Sequence, residues 1–175
     1  HYTDKIMLGT MSTWKELGYY TNSDKIVNIP MGLINGLGVV MLPRISALSV
    51  SNESNKIEKY VNTSIVLSLW AGIALSFGIK AIDSDFIPFF FGKGYMRCAE
   101  LLEWLSVVII IKAISNVLRT QYLIPMEKDK EFNISVIAAA VVNVIFNYFL
   151  IPLYGAMGAV VGTLIAESIV LILYY

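Results

Sequence analysis

The chain reads as long apolar runs broken by short clusters of charge, proline and glycine. A helix needs about 20 apolar residues to cross a hydrocarbon core. Five runs meet that length, at about Thr21–Leu42, Val61–Ile79, Leu101–Leu123, Asn133–Ile151 and Ala156–Tyr175. Residues 1–20 read as the tail of a preceding span, DKIMLG, followed by an outer loop, TMSTWKEL. SIVLSLWAGIAL and VIAAAVVNVIF lack the period-two alternation of barrel strands, which disfavours a β-barrel. The pattern predicts an all-α polytopic transmembrane bundle, with residues 21–175 as its five-helix part. The predicted connections are PRISALSVSNESNKIEK, KAIDSDFIPFFFGKGYMRCAE, IPMEKDKEF and IPLYG. Proline breaks the helical ladder at three of them. The aromatic centre of the second suits a membrane–water interface.

Polar residues inside the runs stand out against this background. Lys112, Ser115, Asn116 and Arg119 are spaced i, i+3, i+4, i+7, which puts them on one helical face. A lysine at the bilayer centre costs about 2.5–3.5 kcal/mol on insertion scales and usually faces a bundle interior or a wet cavity. Arg119 sits nearer the helix end, where snorkelling accounts for it equally well. The first run carries Asn28, Gly32 and Asn35 on one face, with Pro30 inside. These suit either a polar path or ordinary interhelical hydrogen bonds. Asp24 and Lys25 precede them, and a headgroup position would account for both. Asn143 and Asn147 lie one turn apart in the fourth run, as do Thr163 and Glu167 in the fifth. Glu167 is a deep acidic residue that could carry a proton, bind a cation or neutralise Lys112. Ser64, Ser68, Gly72 and Ser76, then Gly32 and Gly36, then Gly158 and Gly162, are small-residue stripes that let helices approach closely.

Composition narrows the function classes. The 175 residues are 57% hydrophobic and 15% charged, where soluble domains carry about 25% charge. Formal net charge is zero and the basic residues are scattered, so no nucleic-acid partner is indicated. The single cysteine, Cys98, permits no intrachain disulfide, and the single histidine is His1. Neither a His/Cys metal cluster nor a Ser-His-Asp triad can be built, and no glycine-rich phosphate loop occurs. No catalytic residue, metal site or cofactor is therefore assigned. No signal peptide is visible, the first residue is not Met and the last run stops within apolar sequence, so a piece of a longer membrane protein is expected. Asn52, Asn62 and Asn133 begin N-x-S triplets of the kind chance supplies. Arg44, Lys56, Lys59, Arg119, Lys128 and Lys130 flank the first and third connections, against Lys15, Lys80, Lys93 and Arg97 on the other side. This weak bias puts the first and third connections in the cytoplasm.

DKIMLG followed by LGYYTNSDKIVNIPMGLINGLGVVMLPRIS resembles the opening of the second half of bacterial polysaccharide-unit flippases. FIPFFFGKGYMRCAELLEWLS, NVLRTQYLIPMEKDKEF and NVIFNYFLIPLYGAMGAVVGTLIAE resemble later segments of the same fold, in order. The resemblance spans essentially the whole chain and rests on many loose positions. It implies a member of the multidrug, oligosaccharidyl-lipid and polysaccharide exporter superfamily, with two pseudo-symmetric bundles that alternate access. The five runs would be spans eight to twelve, and the N-terminal half would be a missing partner. The implied cargo is an undecaprenyl-diphosphate-linked oligosaccharide, moved across the bacterial cytoplasmic (inner) membrane for O-antigen or capsule assembly. No bond is made or broken, so the chain is not expected to be an enzyme. On this reading Lys112 and Arg119 meet the diphosphate, Asn116, Asn35 and Asn147 meet glycan or neighbouring helices, and Glu167 is the candidate for ion coupling. A drug or cation antiporter of the same superfamily would want more acid than base in its cavity. A polysaccharide polymerase would want a large outer loop rich in arginine. A structural membrane subunit would tolerate Lys112→Leu.

Overall fold

The computed structural model describes residues 2–51 and 53–174. His1, the N-x-S triplet beginning at Asn52 and the end of the last predicted span at Tyr175 lie outside them. The described residues form helices α1 (Tyr2–Met11), α2 (Trp14–Val50), α3 (Ser54–Phe90), α4 (Arg97–Leu118), α5 (Asp129–Tyr154) and α6 (Ala156–Tyr174), and no strand occurs among them. A single 3₁₀ turn, Lys93–Tyr95, precedes α4, and a π-helical turn, Arg119–Leu123, continues it. Five of the helices are long and apolar enough to cross a membrane.

The helices outrun their predicted ends. α2 and α3 have 37 residues each, about 55 Å at 1.5 Å per residue, against a hydrocarbon core of about 30 Å. α2 begins at Trp14, because Thr13 accepts a hydrogen bond from the Glu16 amide at 3.3 Å and caps it inside the expected outer loop. It then runs through Pro43, expected to close it, since Ile45 beyond the proline is fully buried. Only residues 51–53 separate α2 from α3, and Arg44 of α2 stacks on the Tyr60 ring of α3 and donates to its hydroxyl. α3 likewise absorbs the first half of KAIDSDFIPFFFGKGYMRCAE, up to Phe90. Pro152 sits inside α5, so LIPLYG does not end its helix at the proline as LIPMEK does. α5 instead ends at Tyr154, followed by Gly155 at φ +58°. Glu16 of α2 then caps the next helix from outside, its Oε2 accepting from the Ala156 amide at 2.8 Å.

α4 is the central helix: α2, α3 and α6 all pack on it, while α5 packs chiefly on α6. Leu101, Leu105, Val108, Ile109 and Ala113 are buried along it at helical spacing. The outward faces of the other helices remain apolar, as a lipid-facing surface requires. The aromatic segment forms a ring cluster around the α3–α4 connection, with Phe86, Phe90, Phe91, Tyr95 and Tyr19 in successive contact.

The α3 stripe of Ser64, Ser68, Gly72 and Ser76 is buried, and a Cβ on Gly72 would stand 3.2 Å from Ala113 Cβ and 3.3 Å from Ile110 Cα of α4. Gly158 and Gly162 abut α5, at the Leu150 carbonyl and the Asn147 side chain. Gly32 and Gly36 depart from the expectation: a Cβ there meets nothing among the described residues. On α2 the close approach is made by Gly38. Gly72→Leu is therefore expected to destabilise the bundle by about 1–3 kcal/mol through overpacking. Gly78→Leu, where a Cβ meets open space, serves as the control, and the thermal unfolding midpoints in detergent check the difference.

Candidate functional site

α2, α4 and α6 enclose a cavity of about 270 Å³. α4 contributes Lys112, Ser115, Asn116 and Arg119, the four polar positions of its predicted face. α2 adds Asn28, Met31 and Asn35, and α6 adds Glu167, Val170 and Tyr174. Lys112 Nζ lies 3.2 Å from Glu167 Oε1, bridging α4 and α6. Both side chains are about one-fifth exposed, at 20% and 22%, so the pair is screened from bulk water without being sealed. Arg119 donates to Asn116 Oδ1 at 3.0 Å. Its Nε is buried and has no hydrogen-bond acceptor among the described residues. Asn116 in turn donates to the Ile34 carbonyl of α2 at 3.4 Å.

Asn147 lies apart from this cavity. It is fully buried and donates to Asp4 Oδ1 at 2.7 Å and to Asn143 Oδ1 at 3.2 Å. Tyr20 donates to the other Asp4 oxygen at 3.1 Å and shares a hydrogen bond with Thr163 at 3.2 Å. One buried carboxylate thus ties α1 to α2 and α5, and through Tyr20 to α6. A second space of about 410 Å³ borders this cluster at Asp4, Asn143 and Thr163. It shares Arg119, Glu167, Val170 and Tyr174 with the first cavity, so Arg119 and Glu167 stand in the wall between them.

Sequence reasoning missed Asp4, Lys5 and Tyr20, and the partner of Asp24. Asp24 is only 4% exposed and pairs with Lys5 Nζ at 2.7 Å, while Asn28 donates to its backbone and side-chain oxygens. Asp24 thus forms an interhelical ion pair between α1 and α2. The available signal was the Asp4–Lys5 dipeptide inside an otherwise apolar tail. No group of three or more His, Cys, Asp or Glu able to hold a metal occurs among the described residues.

Fold and cavity together define a multi-pass helical membrane protein with a charged, amide-lined cavity inside an apolar frame. Residues 9–175 match the family described as the lipid II flippase MurJ, and the chain belongs to that family. Similar proteins include a putative O-antigen transporter of Shigella dysenteriae, 26% identical over 87% of this chain and 38% of its own length. A probable low-salt glycan biosynthesis flippase, Agl15 of Haloferax volcanii, is 25% identical over 98% of this chain and 36% of its own. The lipid II flippase MurJ of Bacillus subtilis is 26% identical over 79% of this chain and 26% of its own. The chain thus spans between about a quarter and two-fifths of the curated relatives it matches. No solved structure matches it significantly. These relatives agree with the flippase resemblance read from the sequence.

The Lys112–Glu167 pair has a measurable consequence. Lys112→Gln and Glu167→Gln should each lower stability by about 1–3 kcal/mol, and the double substitution should cost less than their sum, because each single change leaves a charge in a poorly solvated site. Thermal unfolding of all four proteins in detergent gives the coupling energy directly.

Proposed function

We propose that the complete protein translocates a polyprenyl-diphosphate-linked saccharide across the cytoplasmic membrane, and that this chain is the five-helix part of its C-terminal bundle. The observation that carries the proposal is the pair of cations, Lys112 and Arg119, facing a single carboxylate, Glu167, in a cavity whose other polar lining is three asparagine amides and the hydroxyls of Ser115 and Tyr174. A diphosphate presents oxygens at a spacing that a guanidinium forks onto and an ammonium meets as a point charge. In a site of low dielectric those bonds are stronger than in water. Asn28, Asn35 and Asn116 supply both donors and acceptors for sugar hydroxyls. The carboxylate of Glu167 occupies Lys112 in this state, as an internal stand-in for a cargo anion, and exchange between the two anions would link cargo binding to an ion at Glu167.

The family name and the names of the relatives support lipid-linked saccharide as cargo class. An undecaprenyl-linked oligosaccharide repeat unit for surface polysaccharide is the specific cargo we infer. Two cations against one carboxylate in the cavity favour an anionic cargo over the cationic cargo of a drug antiporter. Membrane lipid and the N-terminal half of the same protein are the remaining partners in this reading.

In the complete protein, Lys112→Ala and Arg119→Ala should each cut surface polysaccharide about tenfold or more. Loss of one charge-assisted hydrogen bond is worth about 1.5–3 kcal/mol. Lipid-linked units should accumulate in the cytoplasmic leaflet. Full export by both variants at normal membrane levels would overturn the assignment.

A further inference from the structure

Among the glycines of α2, Gly38 is the one that lies against the cation-bearing end of α4. A Cβ at this position would lie 2.9 Å from Thr120 Oγ1, 3.0 Å from Asn116 Nδ2 and 3.2 Å from Thr120 Cγ2. The other glycines of α2, Gly18, Gly32 and Gly36, face open space instead. The residues Gly38 admits are those that hold Arg119. Asn116 uses both ends of its amide, donating to the Ile34 carbonyl and accepting from the Arg119 guanidinium. Thr120 donates back to the Asn116 carbonyl at 2.7 Å. Arg119 and Thr120 open the π-helical turn, where the ladder changes register and the Ile124 amide bonds the Arg119 carbonyl at 3.0 Å. Single π turns inside α-helices recur at functional sites because the altered register re-aims the side chains they carry.

We propose that Gly38 is the positioning residue of Arg119. With no side chain at 38, the Asn116 amide lies flat against α2, its oxygen turned to the guanidinium, and Arg119 is held pointing into the cavity. A methyl group at 38 would meet two side-chain ends and no backbone atom within the first 3.2 Å. The bundle can therefore accept Gly38→Ala by displacing the Asn116 amide, at the expense of the bond to Arg119. Gly38 then matters for the aim of a cation and much less for the fold. Its bearing on cargo capture rests on the function proposed above, whereas its hold on Arg119 does not.

The test is arginine-specific modification with phenylglyoxal. It uses the complete protein in nanodiscs, with the rate at Arg119 read by peptide mass spectrometry. Gly38→Ala and Asn116→Ala should each raise that rate about threefold or more, and the double substitution should raise it no further, because both act on one bond. Gly36→Ala should leave it unchanged. An unchanged rate in Gly38→Ala, or additive effects in the double variant, overturns the proposal. Should Gly38→Ala fail to fold, the Asn116→Ala/Thr120→Ala background removes the obstructing atoms. There Gly38→Ala must fold and leave the background rate unaltered, and either failure overturns the proposal as well. In a separate arm, a short-chain prenyl diphosphate should protect Arg119 of the wild type from the reagent. Absence of protection counts against the anion reading of the cavity and leaves the comparison of Gly38 variants intact.

Discussion

A polar group inside a membrane has little water to bond, so leaving it without a partner in the protein is costly. The interior of this bundle is organised by that constraint. Lys112 meets Glu167 across α4 and α6, Lys5 meets Asp24 across α1 and α2, and Asp4 accepts from Tyr20 and Asn147. Each contact joins different helices. Between apolar helices in lipid, association draws little on the hydrophobic effect, and close packing with interhelical polar contacts takes its place. The small residues of α3 and α6 let backbones approach, and the polar contacts fix which helices meet and in what rotation.

The same constraint gives the cavity its chemistry. A lysine and an arginine kept in a partly dry space are costly to hold, and they attract anions more strongly than surface cations do. Their intramolecular partners, a carboxylate for Lys112 and an amide oxygen for Arg119, are weaker or exchangeable versions of what a diphosphate offers.

Arg119 and Glu167 border both the α2–α4–α6 cavity and the space beside Asp4. A change at the buried Asp4 cluster has a short physical route to the cation-lined cavity through these two residues and Tyr174, which line both spaces. Linkage between the two sites would be reciprocal, as any coupling of binding equilibria is. The π-helical turn at Arg119–Leu123 falls at this junction.

The apolar runs alone determined the all-α class, the number of membrane-length helices and the shared face of Lys112, Ser115, Asn116 and Arg119, because hydropathy and a 3.6-residue period are local properties of the chain. Helix ends were read too short: α2 starts at Trp14, where Thr13 caps it, and runs past Pro43 to a buried Ile45, while α3 and α5 continue to Phe90 and Tyr154. Which polar residues meet was decided only by tertiary structure. Lys112 finds Glu167, 55 positions away in the numbering, and Asn147, expected to meet glycan or neighbouring helices, bonds Asp4 of α1. Gly38 rather than Gly32 or Gly36 makes the close approach, because the rotation of α2 is set by its packing on α4 and not by the spacing of its glycines. Sequence periodicity says which residues share a face; only the assembled helices say what that face meets.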